Sequence, residues 1–100
     1  MPDPWAVVYN HRAGTRRRHV EQIVELLAAR GVAVKMFEAG RHAMPATARE
    51  VAAGDYPVVV AAGGDGTVST VAAQLVGTDR RFGVIPTGTL NHFAKDAGIP

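Results

Sequence analysis

The sequence predicts an α/β fold, a three-layer, doubly wound parallel sheet with strand order 2-1-3-4. Three observations lead there. Short apolar runs alternate with segments of helical period along the whole chain. The most apolar run, Val58–Ala62, shows no polar alternation, as a strand buried on both faces should read. The glycine-bearing segments of unusual composition follow strands, where such sheets place their ligands.

The elements follow in order. Trp5–Tyr9 is a short apolar run and reads as the first strand, with Asn10–Thr15 as a loop. From Arg16 to Arg30 the period is helical, with Val20, Ile23, Val24 and Leu27 at i, i+3, i+4 and i+7. Gly31 is placed to stop that helix in a left-handed conformation. Val32–Phe37 sets Val32, Val34 and Met36 on one side and Lys35 on the other, which suits an edge strand with one wet face. Pro45 fits the first turn of a short, Ala-rich helix over 46–53, ended by Gly54. After the central strand, Val68, Val71, Ala72 and Leu75 restore helical spacing. Phe82–Ile85 is the fourth strand, and Leu90, Phe93, Ala94 and Ala97 predict a fourth helix. Right-handed crossovers then give a Rossmann-like sheet.

With 100 residues the chain is one domain, able to bury a modest core. Cysteine is absent, which excludes disulfides, thiolate zinc sites and thiol catalysis and suits a reducing compartment. His11, His19, His42 and His92 lack metal-ligand spacing. No apolar run is long enough to span a membrane, and no secretory leader is evident at the N-terminus. A net charge of +2 is too small to argue for nucleic acid, so none is expected as a partner.

In the order 2-1-3-4, strands 1, 3 and 4 are neighbours, so the loops Asn10–Gly14, Gly63–Thr67 and Thr87–Asn91 should converge on one edge. The sharpest of them is Gly63-Gly64-Asp65-Gly66-Thr67. Glycines let a ligand approach the backbone, and the helix that follows offers free N–H groups and a positive dipole end to an anion. Thr67 is placed to cap that helix. The loop lacks both the spacing and the lysine of a Walker A motif, and it is not the Gly-x-Gly-x-x-Gly dinucleotide pattern. Asp65 would repel phosphates unless Mg²⁺ bridges them or a substrate hydroxyl intervenes, which points to phosphoryl transfer. The plainer account makes Asp65 a helix cap and the glycines a tight turn. The loop Thr87-Gly88-Thr89-Leu90-Asn91 repeats the design, with Thr89 able to bond a phosphate oxygen and Asn91 to order the loop; ordinary capping explains it equally. Arg16, Arg17 and Arg18 at a helix start cost a few tenths to about 1 kcal/mol. They indicate either anionic company or a solvated basic face.

Gly63-Gly64-Asp65-Gly66-Thr67 together with Pro86-Thr87-Gly88-Thr89-Leu90-Asn91-His92-Phe93-Ala94-Lys95 resembles the catalytic domain of diacylglycerol-kinase-like lipid kinases, over about residues 8–100. The resemblance implies ATP and Mg²⁺ as cofactors and a lipid hydroxyl, diacylglycerol-like, as acceptor. It implies that Gly63, Gly64, Asp65, Gly66 and Thr67 hold the ATP phosphates, that Asp65 is catalytic and belongs to the Mg-ATP network, and that Thr87, Gly88, Thr89 and Asn91 complete the nucleotide site. Asn10 and Gly14 match the ends of the family's first loop. The family pattern is departed from at His11 in place of proline, at Ser69 and Thr70 in place of Asn-Glu, and at His92 where aspartate is common. These kinases carry a second, β-rich domain. The expectation is therefore the N-terminal, ATP-binding half of a two-domain kinase. It would be inactive alone, self-associating through uncovered apolar surface, and cytoplasmic, meeting lipid at the inner face of the membrane. A non-catalytic nucleotide-binding regulatory domain and an NAD-kinase-like enzyme are the alternatives.

Overall fold

The computed structural model describes residues 3–10 and 14–86, and for residues 14–17 and 86 the backbone alone. The described chain runs β1 (Trp5–Asn10), α1 (Gly14–Ala29), β2 (Val34–Ala39), α2 (Met44–Ala53), β3 (Val58–Gly63), α3 (Asp65–Leu75) and β4 (Arg81–Pro86). The expected fourth helix and the loop Thr87–Asn91 lie outside the described residues.

The four strands form one sheet in the order β2-β1-β3-β4, every pairing parallel, as the sequence predicts. β1 and β3 are the interior pair. Ala6, Val7, Val8, Val59 and Ala61 of these strands are fully removed from solvent, which is why the sequence there has no polar alternation. Because side chains alternate across a strand, the sheet divides its apolar residues between two layers. Ala6, Val8, Val59 and Ala61 pack with Ala48 and Val51 of α2 and with Val71 and Leu75 of α3. Val7, Tyr9, Val60 and Ala62 pack with Val20 of α1, and Trp5 and Val24 lean against them. Helices thus cover both faces, giving the three layers.

α1 ends as its glycine foretells. Gly31 has φ +84°, its N–H donates to the Ala28 carbonyl (3.0 Å), and the Val32 N–H donates to Leu27 (3.0 Å). This pair of bonds is a Schellman motif, available cheaply only to glycine. The second strand begins two residues later than the apolar alternation suggests, and Val32 belongs to the turn. α2 begins at Met44 with Pro45 inside its first turn, where the missing N–H costs nothing. Gly54 does not stop α2 by a left-handed turn, since its φ is −85°. Glycine is needed there because a Cβ would fall 2.5 Å from the Tyr56 ring. Tyr56 in turn meets Phe37 of β2 edge to face, centroids 5.5 Å apart.

β4 is the second edge. Its register, Phe82 with Val59 and Val84 with Ala61, puts Phe82 and Val84 on the α2/α3 face of the sheet. They stay 38% and 43% exposed there.

Candidate nucleotide site

The C-terminal ends of β1 and β3 and the turn after β2 enclose a cleft of about 520 Å³. That volume lies in the usual range for small-molecule sites. Asn10, Arg41, Met44, Gly64, Gly66, Thr67 and Thr70 line it. Two of the three loops expected to converge therefore contribute, through Asn10 and through Gly64–Thr67. Of the third, Thr87, Gly88, Thr89 and Asn91 lie outside the described residues. β4 ends with Pro86 in register with Gly63. Gly14 opens α1.

The glycine loop is built by a tight exit from β3. Gly63 has φ +157°, and a Cβ on it would lie 3.0 Å from both Cβ and Oγ1 of Thr67. Only glycine fits there, because the chain turns back onto its own helix. Gly64 and Gly66 differ. Neither has positive φ, and a Cβ on either would meet no atom within 4 Å. The fold has no steric need of glycine at these two positions, and both face the cleft.

α3 starts at Asp65 with Gly64 as N-cap, and no side chain caps it. This corrects two readings of the sequence. Thr67 is not the cap: it is the third residue of the helix, 8% exposed and packed beneath Gly63. Asp65 is not a cap either. The reason is that the turn at Gly63 places the cap at Gly64, three residues before Thr67 and one before Asp65, on a residue without a side chain. The first helical amide with an intrahelical acceptor is Val68, which donates to Gly64 (3.1 Å). The N–H groups of Asp65, Gly66 and Thr67 are left for an external acceptor, at the positive end of an 11-residue helix.

Asp65 is exposed on the first turn and is not among the residues lining the cleft, although its neighbours Gly64 and Gly66 are. Among the described residues the lining carries one charged side chain, Arg41. Sequence reasoning missed Arg41, Met44 and Thr70. The signal was present: β2 is the parallel neighbour of β1, so its C-terminal loop shares the ligand edge. Thr70 follows Gly66 by one helical turn, and its hydroxyl donates to the Gly66 carbonyl (2.8 Å). Of the arginine run at the start of α1, the Arg18 side chain is described and it is exposed.

The residues present suit a nucleotide polyphosphate: free amides, glycines open to close approach, and one cation. Magnesium in its usual mode is held by one or two carboxylates, with phosphates and water completing the shell. Asp65 is the one carboxylate of the loop, and no cluster of three or more metal-ligating side chains occurs among the described residues.

The sequence pattern of the diacylglycerol kinase catalytic domain is matched over residues 4–100. A diacylglycerol kinase of Bacillus subtilis (strain 168) is 34% identical over 104 residues, covering 94% of this chain and 33% of the relative. A probable lipid kinase YegS-like protein of Xanthomonas oryzae pv. oryzae is 35% identical over 111 residues, covering 99% of this chain and 34% of the relative. One from Pseudomonas putida is 47% identical over 66 residues, 64% of this chain and 22% of the relative. The chain thus spans about one third of the length of these relatives. The uncapped helix behind its glycine turn stands in a chain that belongs to the diacylglycerol kinase catalytic domain family.

Proposed function

We propose that this chain is the nucleotide-binding part of an ATP-dependent lipid kinase, which transfers the γ-phosphoryl group of ATP to the hydroxyl of a diacylglycerol-like lipid. One observation carries the reading most directly. Gly64 and Gly66 occupy positions where the fold itself would accept a side chain, at the uncapped start of α3 and on the wall of the cleft.

The phosphate chain would lie against the α3 N-terminus, accepting hydrogen bonds from the Asp65, Gly66 and Thr67 amides. Gly63 shapes the turn that aims those amides, and Thr67 fixes that turn from beneath. Asn10 stands across the cleft, and by family resemblance Gly14, Thr87, Gly88, Thr89 and Asn91 complete the nucleotide contacts. In the transfer step the lipid oxygen bonds to the γ-phosphorus and the bond to the β–γ bridging oxygen breaks. ADP leaves, and Asp65 accepts the hydroxyl proton. Magnesium, when bound, neutralises charge on the phosphates. No described helix is long and apolar enough to cross a membrane. By family resemblance the acceptor would be met from the cytoplasmic side, at the membrane surface. The exposed Phe82 and Val84 support self-association of this 100-residue chain, which light scattering over a concentration series would reveal; a strictly monomeric profile would refute it.

A second reading, phosphate binding for regulation without transfer, is favoured by one observation: no carboxylate lines the cleft among the described residues. Radiolabelled ATP presented with diacylglycerol, a sphingoid base and NAD to the protein joined to its family's β-rich domain separates the readings. Label in diacylglycerol supports the proposal. Label only in NAD points to the NAD-kinase branch, and binding without transfer to any acceptor points to regulation.

A further inference from the structure

The glycine loop has no lysine, and the charge nearest its amides, Asp65, has the wrong sign for a phosphate. A cation must come from elsewhere in the fold. Among the described lining residues, Asn10, Met44, Gly64, Gly66, Thr67 and Thr70 are neutral and Arg41 is charged.

Resting on the nucleotide reading above, we propose that Arg41 is the phosphate-binding cation of this site, and that it sets the preference for nucleotides carrying a longer phosphate chain. Its backbone is fixed. Asn10 pairs with Ala39 at the end of the sheet, so the turn carrying Arg41 begins beside Asn10. That turn is closed by the Ala43 N–H donating to Gly40 (3.1 Å) and runs into α2 through Thr47 donating to Ala43 (3.0 Å). Its head group is uncommitted. Arg41 is exposed and makes no hydrogen bond or ion pair with any described residue. Arg80 is the contrast, since its guanidinium is spent on the carbonyls of Val51, Ala52 and Gly54. An arginine with its donors free, lining the same cleft as Gly64, Gly66 and Thr67 at the uncapped start of α3, is matched to an anion that both can grip. The guanidinium fork fits phosphate oxygens two at a time.

The test is isothermal titration of the 100-residue chain, wild type, Arg41→Gln and Arg41→Lys, with Mg-ATP, ADP, AMP and adenosine. Arg41→Gln is expected to weaken ATP binding about tenfold or more. ADP should lose less, AMP about twofold, and adenosine nothing, with Arg41→Lys recovering part of the ATP loss. Equal losses for all four ligands, or no loss for ATP, would overturn the assignment. If the Gly64→Asp variant loses ATP while Arg41→Gln keeps it, the glycine cradle stands and Arg41 falls alone. If the wild type binds no ATP, both fall together.

Discussion

Gly63 and Thr67 are in such close contact that a single added methyl on the glycine would sit 3.0 Å from the threonine Cβ and Oγ1. This contact folds the end of β3 back over the first turn of α3, and everything proposed for the site depends on it. Gly63→Ala is therefore expected to destabilise the protein by about 1–3 kcal/mol, combining overpacking with an unfavourable φ. Urea unfolding followed by circular dichroism measures it; an unchanged midpoint would mean the turn relaxes freely.

Gly66→Ala should separate folding from binding. The position is helical and spatially open, so alanine should leave stability unchanged or raise it by up to about 1 kcal/mol. ATP affinity should nevertheless fall about tenfold or more, because a methyl would stand where the phosphates approach. A variant that loses stability, or keeps full affinity, would show that Gly66 serves the fold.

How far the site was legible follows from which residues speak through their own side chains. The strand order was legible because an uninterrupted apolar run can be only an interior strand and Lys35 marks an edge. The end of α1 was legible because Gly31 has one cheap conformation to offer. The start of α3 was misread, since threonine is a common cap and Gly64 caps without a side chain. Arg41 was not legible because the turn after β2 carries no glycine pattern beyond Gly40. Its role arises from strand adjacency, a relation between distant parts of the sequence.

Arg80 stabilises α2 at the end opposite the one that lines the cleft. Its donors reach the carbonyls of Val51 (3.3 Å), Ala52 and Gly54 at the C-terminal end of α2, where a cation also complements the dipole. Arg80→Ala is expected to cost about 1–3 kcal/mol. ATP affinity should be unchanged, since the residue lies outside the cleft lining. Denaturation and titration on one sample check both halves of this expectation.

Asp65→Asn keeps size and polarity at an exposed position with no capping bond to lose, so the melting curve should be preserved. In the chain joined to a β-rich domain of the kind the family resemblance implies, phosphoryl transfer should be abolished. Transfer at the wild-type rate would remove both the metal and the base roles from this residue.

The most direct test of the central claim is a ¹⁵N-edited NMR titration of the 100-residue chain with Mg-ATP. The account predicts that the amides of Gly64, Asp65, Gly66 and Thr67 shift most, while those of Val58 and Arg81 at the opposite edge of the sheet stay in place. Shifts confined to that opposite edge, or none at saturating nucleotide, would contradict it.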